Sequence, residues 1–115
     1  MAITALYENS ASIGTTEYSL TNNATGVVAK TDDGVFQCYL DLNALVAGDQ
    51  YELKIYEKVQ SAGTQRVCDV MVFTGLQSKP NFILPSMIFM HGWDITMKKL
   101  TGTDRTIGWS IRQVA

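Results

Sequence analysis

Residues 93–112 constrain this chain more than any other stretch. Trp93, Ile95 and Met97 alternate with Asp94, Thr96 and Lys98; after Thr101-Gly102-Thr103-Asp104-Arg105, Ile107, Trp109 and Ile111 alternate with Gly108, Ser110 and Arg112. A period of two places successive side chains on opposite faces of a strand, so each arm reads as a strand with one face in a core and one in water. The Gly/Asp/Thr segment between them predicts that the arms pair as a β-hairpin, with Trp93, Ile95, Trp109 and Ile111 on its buried face. A lone hairpin is marginal in water. Other strands must therefore cover the tryptophans, and the expected class is all-β.

The same alternation recurs upstream. Phe36, Cys38, Leu40 and Leu42 share one phase, as do Tyr51, Leu53 and Ile55, while Glu52, Lys54, Tyr56 and Lys58 take the other. Ser61-Ala62-Gly63-Thr64 turns the second of these strands into residues 66–74, a second hairpin. There both phases are apolar except at Asp69, which predicts a strand that is central or covered by a partner. Asp69 itself reads as an edge residue in solvent or as half of a buried pair. Residues 2–7 form a short β-like run, Asn9-Ser10-Ala11-Ser12 a break, and residues 15–21 and 27–30 two further short runs. The passage 80–85 is irregular and 87–90 a short strand; the apolar segment 82–90 either closes the end of the domain or faces a subunit.

Residues 43–51 read as about one helical turn, with Asn43 as N-cap and Gly48 as stop. Leu45, Gly48 and Tyr51 also match a tyrosine corner, in which the phenol hydroxyl bonds back to the connection that crosses between two sheets. Together these elements predict a single antiparallel β-sandwich of jelly-roll or Ig-like Greek-key type, with about eight strands. One domain spans residues 1–115, residues 1–9 being an N-terminal arm or edge strand. Its core is expected to hold Phe36, Leu40, Tyr51, Leu53, Ile55, Trp93, Ile95, Trp109 and Ile111.

Composition narrows the function. With 46% hydrophobic and 17% charged residues the chain can fill a core, which argues against disorder. A net charge of −2 with scattered Lys and Arg offers no stripe for phosphates, so nucleic acid is not an expected partner. The apolar run 82–90 is far short of the roughly 20 residues of a membrane span. The first residues show neither a basic segment nor a long apolar one, so no secretory signal is read. His91 is the only histidine and reads as a turn residue rather than a zinc ligand. Asp32, Asp33 and Asp104 sit in turns that favour Asp, and the Thr31–Gly34 turn lacks the further acids of a calcium loop.

No nucleophile–base arrangement can be located, so an enzyme is not expected, and neither are a catalytic residue, a cofactor, a metal or a small-molecule ligand. Cys38 and Cys68 read as reduced, partly buried thiols. Tyr39 and Tyr56 fall on the outward phase of strands expected to be neighbours, where they serve as an interface or as cross-strand supports. The N-terminal run from Met1, carrying Ile3, Ala5 and Tyr7, could extend a neighbour's sheet edge.

The run Trp93-Asp94-Ile95-Thr96-Met97-Lys98-Lys99-Leu100 and its continuation from Gly102 to Arg112 resemble small structural proteins encoded in the virion-assembly regions of tailed bacteriophages. The resemblance extends to residues 51–58 and to Asp33-Gly34-Val35-Phe36-Gln37. It implies a non-enzymatic virion component on the capsid surface, assembled in the host bacterial cytoplasm. The expected role is a cement or decoration protein, with the major capsid protein and further copies of itself, a trimer for example, as partners. A neck or tail component is the alternative. A carbohydrate- or receptor-binding sandwich, stacking through Tyr18, Tyr39 or Tyr56, is a third reading.

Overall fold

In the computed structural model, which describes residues 2–114, two antiparallel five-stranded sheets pack face to face. The strands are β1 (Ile3–Ile13), β2 (Tyr18–Ser19), β3 (Ala24–Thr25), β4 (Gly34–Asp41), β5 (Gln50–Glu57), β6 (Arg66–Thr74), β7 (Asn81–Ile83), β8 (Met87–Phe89), β9 (Asp94–Thr101) and β10 (Arg105–Val114). Sheet I runs β1-β10-β4-β7, with β8 also paired to β4; sheet II runs β3-β2-β9-β5-β6. The protein is thus a β-sandwich of ten strands.

The alternating residues line the space between the sheets. Phe36, Leu40, Tyr51, Leu53, Ile55, Trp93, Ile95, Trp109 and Ile111 are all buried there, joined by Ile13, Leu20, Leu45, Leu84 and Phe89. Trp93 anchors one end, stacked on Phe89 at 4.5 Å and tilted against Phe36 at 4.6 Å, its indole N–H donating to the Asp32 carbonyl at 2.8 Å. Trp109 packs apart from this cluster, edge-on to Tyr18 at 6.0 Å.

The arms of residues 93–112 do not form a hairpin. β9 lies between β2 and β5 in sheet II, and β10 between β1 and β4 in sheet I, so the turn carries the chain across the sandwich. Each arm is a central strand with neighbours on both sides, and neither has an edge left for the other. Periodicity reveals which face of a strand is buried, but not which strand lies alongside.

Other expectations also shift. The polar Asn9–Ser12 stretch does not break a strand: β1 continues to Ile13, paired with β10 along its length as an edge strand of sheet I. Backbone pairing there overrides composition. Residues 27–30 form no strand, Lys30 making only a bridge to Trp93, and β3 lies between the expected runs 15–21 and 27–30. β6 is not central but the edge of sheet II. Residues 43–49 make successive turns instead of a helical one, with Leu45 N–H donating to Leu42 and Asp49 N–H to Val46.

Four crossings between the sheets lie at one end: β6 to β7, and three that side chains tie together, β1 to β2, β4 to β5 and β9 to β10. Tyr51 does not bond back to its own connection as a tyrosine corner would. Its hydroxyl donates to the Ile13 carbonyl at 2.8 Å and accepts the Arg105 backbone N–H at 2.7 Å, joining the other two crossings. Asp49 serves the third. Its carboxylate accepts from the Val46 and Thr103 backbone N–H groups at 3.0 and 3.1 Å and pairs with Arg105 Nε at 2.8 Å. Gly102 closes against this carboxylate with φ of +96°, where an added Cβ would lie 2.7 Å from Asp49 Cα. A side chain does not fit that space.

Candidate interaction surface

Register fixes what sheet I shows to solvent. Phe36, Cys38 and Ile111 face inward, so their neighbours Val35, Gln37, Tyr39, Ser110 and Arg112 face outward. Cross-strand partners then align in rows. Ile3, Val114, Val35 and Ile88 pair in sequence across β1, β10, β4 and β8, making an aliphatic row the width of the sheet. Ile88 is 78% exposed and Ile3 68%, values at which an isolated aliphatic gains nothing from the fold. The next row holds Ala5, Arg112 and Gln37, the third Glu8, Ser110, Tyr39 and Ile83, and the fourth Ser10, Gly108, Asp41 and Asn81. Polarity rises from the first row to the fourth.

The third and fourth rows border a shallow depression of about 480 Å³ lined by Asn9, Tyr39, Asp41, Asn81, Ser110 and Arg112, among others. The Arg112 guanidinium lies 3.7 Å over the Tyr39 ring, and the Tyr39 hydroxyl donates to Gln37 Oε1 at 3.3 Å. This cation–π contact occupies one stacking face of the ring.

A second apolar surface lies on the opposite side of the domain. The outward residues of β6 in sheet II are Val67, Val70 and Val72, paired with Tyr56, Lys54 and Glu52. All three valines are exposed. On its inward side β6 borders a cleft of about 220 Å³, lined by Ile55, Met71, Leu84, Met87 and Phe89, toward the edge of sheet I. The free edge of β6 is partly satisfied from within: Asp69 Oδ1 accepts the Val70 N–H at 2.9 Å, and Gln77 donates to the Thr74 carbonyl at 3.3 Å. Asp69 is exposed on this edge.

The residues nominated from sequence separate into two groups. Ile3, Ala5 and Tyr39 share the outer face of sheet I; the Met1 end of that run lies outside the described residues. Tyr7 does not join them. The register of β1 shifts between Ala5 and Tyr7, turning Tyr7 against Trp93 at 6.1 Å, and its hydroxyl donates to Asp32. Burial, reinforced by that carboxylate, raises the Tyr7 pKa above the usual phenol range.

Tyr56 is outward but on the other sheet, so it is no neighbour of Tyr39. Its hydroxyl donates to Glu17 at 2.5 Å, and Thr96 donates to the same carboxylate. Burial pushes the Tyr56 pKa up as well, with Glu17 adding to the effect. Next to this group the buried Asp94 accepts from Thr21 at 2.7 Å, Ser19 at 3.1 Å, Val28 N–H at 3.0 Å and Ile95 N–H at 2.8 Å. Desolvation raises its pKa while these bonds pull it back. The cluster ties the β2–β3 edge of sheet II and the Val28 backbone to the outer side of β9, and the Glu17 carboxylate caps the Tyr56 hydroxyl.

Cys38 is buried and Cys68 exposed, so the thiols differ where both were expected to be partly buried. His91 lies in the turn before β9, its backbone N–H donating to Glu57 at 2.9 Å. Among the described residues, no group of three or more His, Cys, Asp or Glu is placed to hold a metal ion. Sequence reasoning missed Val35 and Val114 as surface residues, and left Ile83 and Ile88 in a segment that either closes the domain or faces a subunit. Each is a single aliphatic on the phase opposite a core residue, a signal visible only once the rows are aligned. No family model matches the chain, and no curated protein matches it.

Proposed function

We propose that this protein is a non-enzymatic virion structural protein of a tailed bacteriophage, a cement or decoration subunit that binds the major capsid protein and stabilises the head. The observation that carries this reading is a pair of exposed aliphatic surfaces facing opposite ways: Ile3, Val35 and Ile88 on sheet I, and Val67, Val70 and Val72 on sheet II. Contiguous apolar surface on a folded domain marks contact with another molecule. Two such surfaces on opposite sides suit a subunit held between neighbours. The resemblance of residues 93–112 to phage virion proteins supplies the setting. Repetition over a symmetric shell would supply strength, because modest contacts made at many sites stabilise by mass action and multivalency.

Copy number and position in the particle test the reading. Quantitative mass spectrometry and a low-resolution particle map should find hundreds of copies over the head, and heads lacking the protein should rupture at lower temperature. About a dozen copies at a single vertex would instead place the protein in the neck or tail. The sheet I depression, with Tyr39, two asparagines and Asp41, supports a receptor- or carbohydrate-binding reading less well, since Arg112 already covers the Tyr39 ring. Binding on a glycan array would revive it.

A further inference from the structure

We infer that the outer face of sheet I takes a second copy of this chain, face to face, about a two-fold axis that runs parallel to the strands between β10 and β4. The inference rests on the sheet I face, one of the two surfaces that the virion reading also draws on, and assigns the second copy as the neighbour there. Such an axis lays β10 of each copy over β4 of the other, and β1 over β7 and β8. The aliphatic row reads Ile3, Val114, Val35, Ile88, the same residue types from either end. The rotation therefore sets Ile3 over Ile88 of the second copy and Val114 over its Val35.

In the rows behind it no like charges oppose one another, Glu8 lying over Ile83 and Ser10 over Asn81. Ser110 lies over the larger Tyr39, Gly108 over Asp41, and Arg112 over the uncharged Gln37. At Ser110 and Gly108 small residues on β10 face larger ones on β4, which lets the two pleated faces interdigitate there. Nothing crowds the floor at Gly108, where an added Cβ would come no closer than 3.5 Å to Asp41.

The area is also sufficient. Four strands about 4.8 Å apart and four rows about 6.8 Å apart give a plane of roughly 500 Å². Counted on both copies this is about 1,000 Å², the small end of specific interfaces, which suits weak, concentration-dependent association. A homodimer contact of this kind is isologous, so one patch serves both copies.

Sedimentation equilibrium of the purified full chain tests this, from about 1 to about 100 μM, the range expected for a small interface. The expected result is a concentration-dependent rise to twice the chain mass. Ile88→Asp combined with Val35→Asp should weaken association at least tenfold while leaving far-UV circular dichroism unchanged, because both side chains are exposed. Val70→Asp, on the opposite side, should leave association unaltered. The axis has its own test in a Cys68→Ser background: Ile3→Cys and Ile88→Cys chains should cross-link when mixed, and neither should do so alone. A chain that stays monomeric, an association that survives the double aspartate variant, or cross-linking by Ile3→Cys alone would each overturn the proposal. Such a failure would leave the virion reading standing, since that depends on copy number in the particle.

Discussion

Replacing Tyr51 by phenylalanine removes one oxygen atom and should be among the costliest conservative changes in the chain. The ring is fully buried, and its hydroxyl both donates to Ile13 and accepts from the Arg105 N–H, so two crossings between the sheets lose a partner. Loss of the bond to Ile13 costs about 1 kcal/mol net, and leaving the Arg105 N–H unpaired costs about 1 to 3 kcal/mol more. The expected loss is about 2 to 4 kcal/mol, a large share of the roughly 5 to 15 kcal/mol that holds a domain of this kind. Urea titration followed by tryptophan fluorescence measures it. With an m-value near about 1.5 kcal/mol/M, the midpoint should fall by roughly 1.5 to 2.5 M. A shift below about 0.3 M at unchanged m would falsify the assignment of Tyr51 as the tie between crossings.

Other outcomes follow from the same structure. Trp109→Ala should cost about 3 to 5 kcal/mol, because the indole is buried between the sheets, and a near-neutral result would contradict its core position. Backbone N–H donors from Val46 and Thr103 and the Arg105 guanidinium hold the Asp49 carboxyl down to about 2. A depressed folded-state pKa gives stability that is present above about pH 4 and lost as pH falls toward 2. The melting temperature should therefore drop across that window, and Asp49→Asn should flatten the drop; an unchanged profile would refute this. A thiol reagent without reductant should label Cys68 quickly in the native protein and Cys38 only on unfolding, since Cys38 is buried and its pKa is pushed up to about 12. Equal native rates would count against the described core.

The alternation at Phe36–Leu42, Tyr51–Ile55 and both arms of 93–112 made the buried phases legible, because a period of two reports directly which face meets a core. Strand partners were not legible. Nothing in Trp93–Lys98 distinguishes a strand that pairs with Ile107–Arg112 from one that faces it across a core, and a Gly-containing turn serves both geometries. Tyr51 was singled out by its spacing from Leu45 and Gly48, yet its hydroxyl partners lie 38 and 54 residues away in sequence. Local pattern cannot reveal those. Tyr56 was read as exposed on phase alone, and Tyr7 as part of an N-terminal run able to extend a neighbour's sheet edge; Tyr7 is turned inward by a register shift in β1, and Tyr56 is capped by Glu17. The aliphatic row on sheet I has one member in each of four distant segments, so it exists only in the folded sheet.

The pairing of β1 with β10 also bears on how the chain reaches this state. Residues 3–13 have no strand to join until residues 105–114 exist, and the remainder of sheet I is laid on the other side of β10. During synthesis at about 5 to 20 residues per second, the first strand must wait several seconds for its neighbour. Its many polar residues, Glu8, Asn9, Ser10 and Ser12, keep it soluble through that interval, when a strand of valines like β6 would invite the wrong partner. Closure of long loops makes such a topology slow to fold. Folding would then be a late, all-or-none event, with association through sheet I deferred until every strand of that sheet is in place.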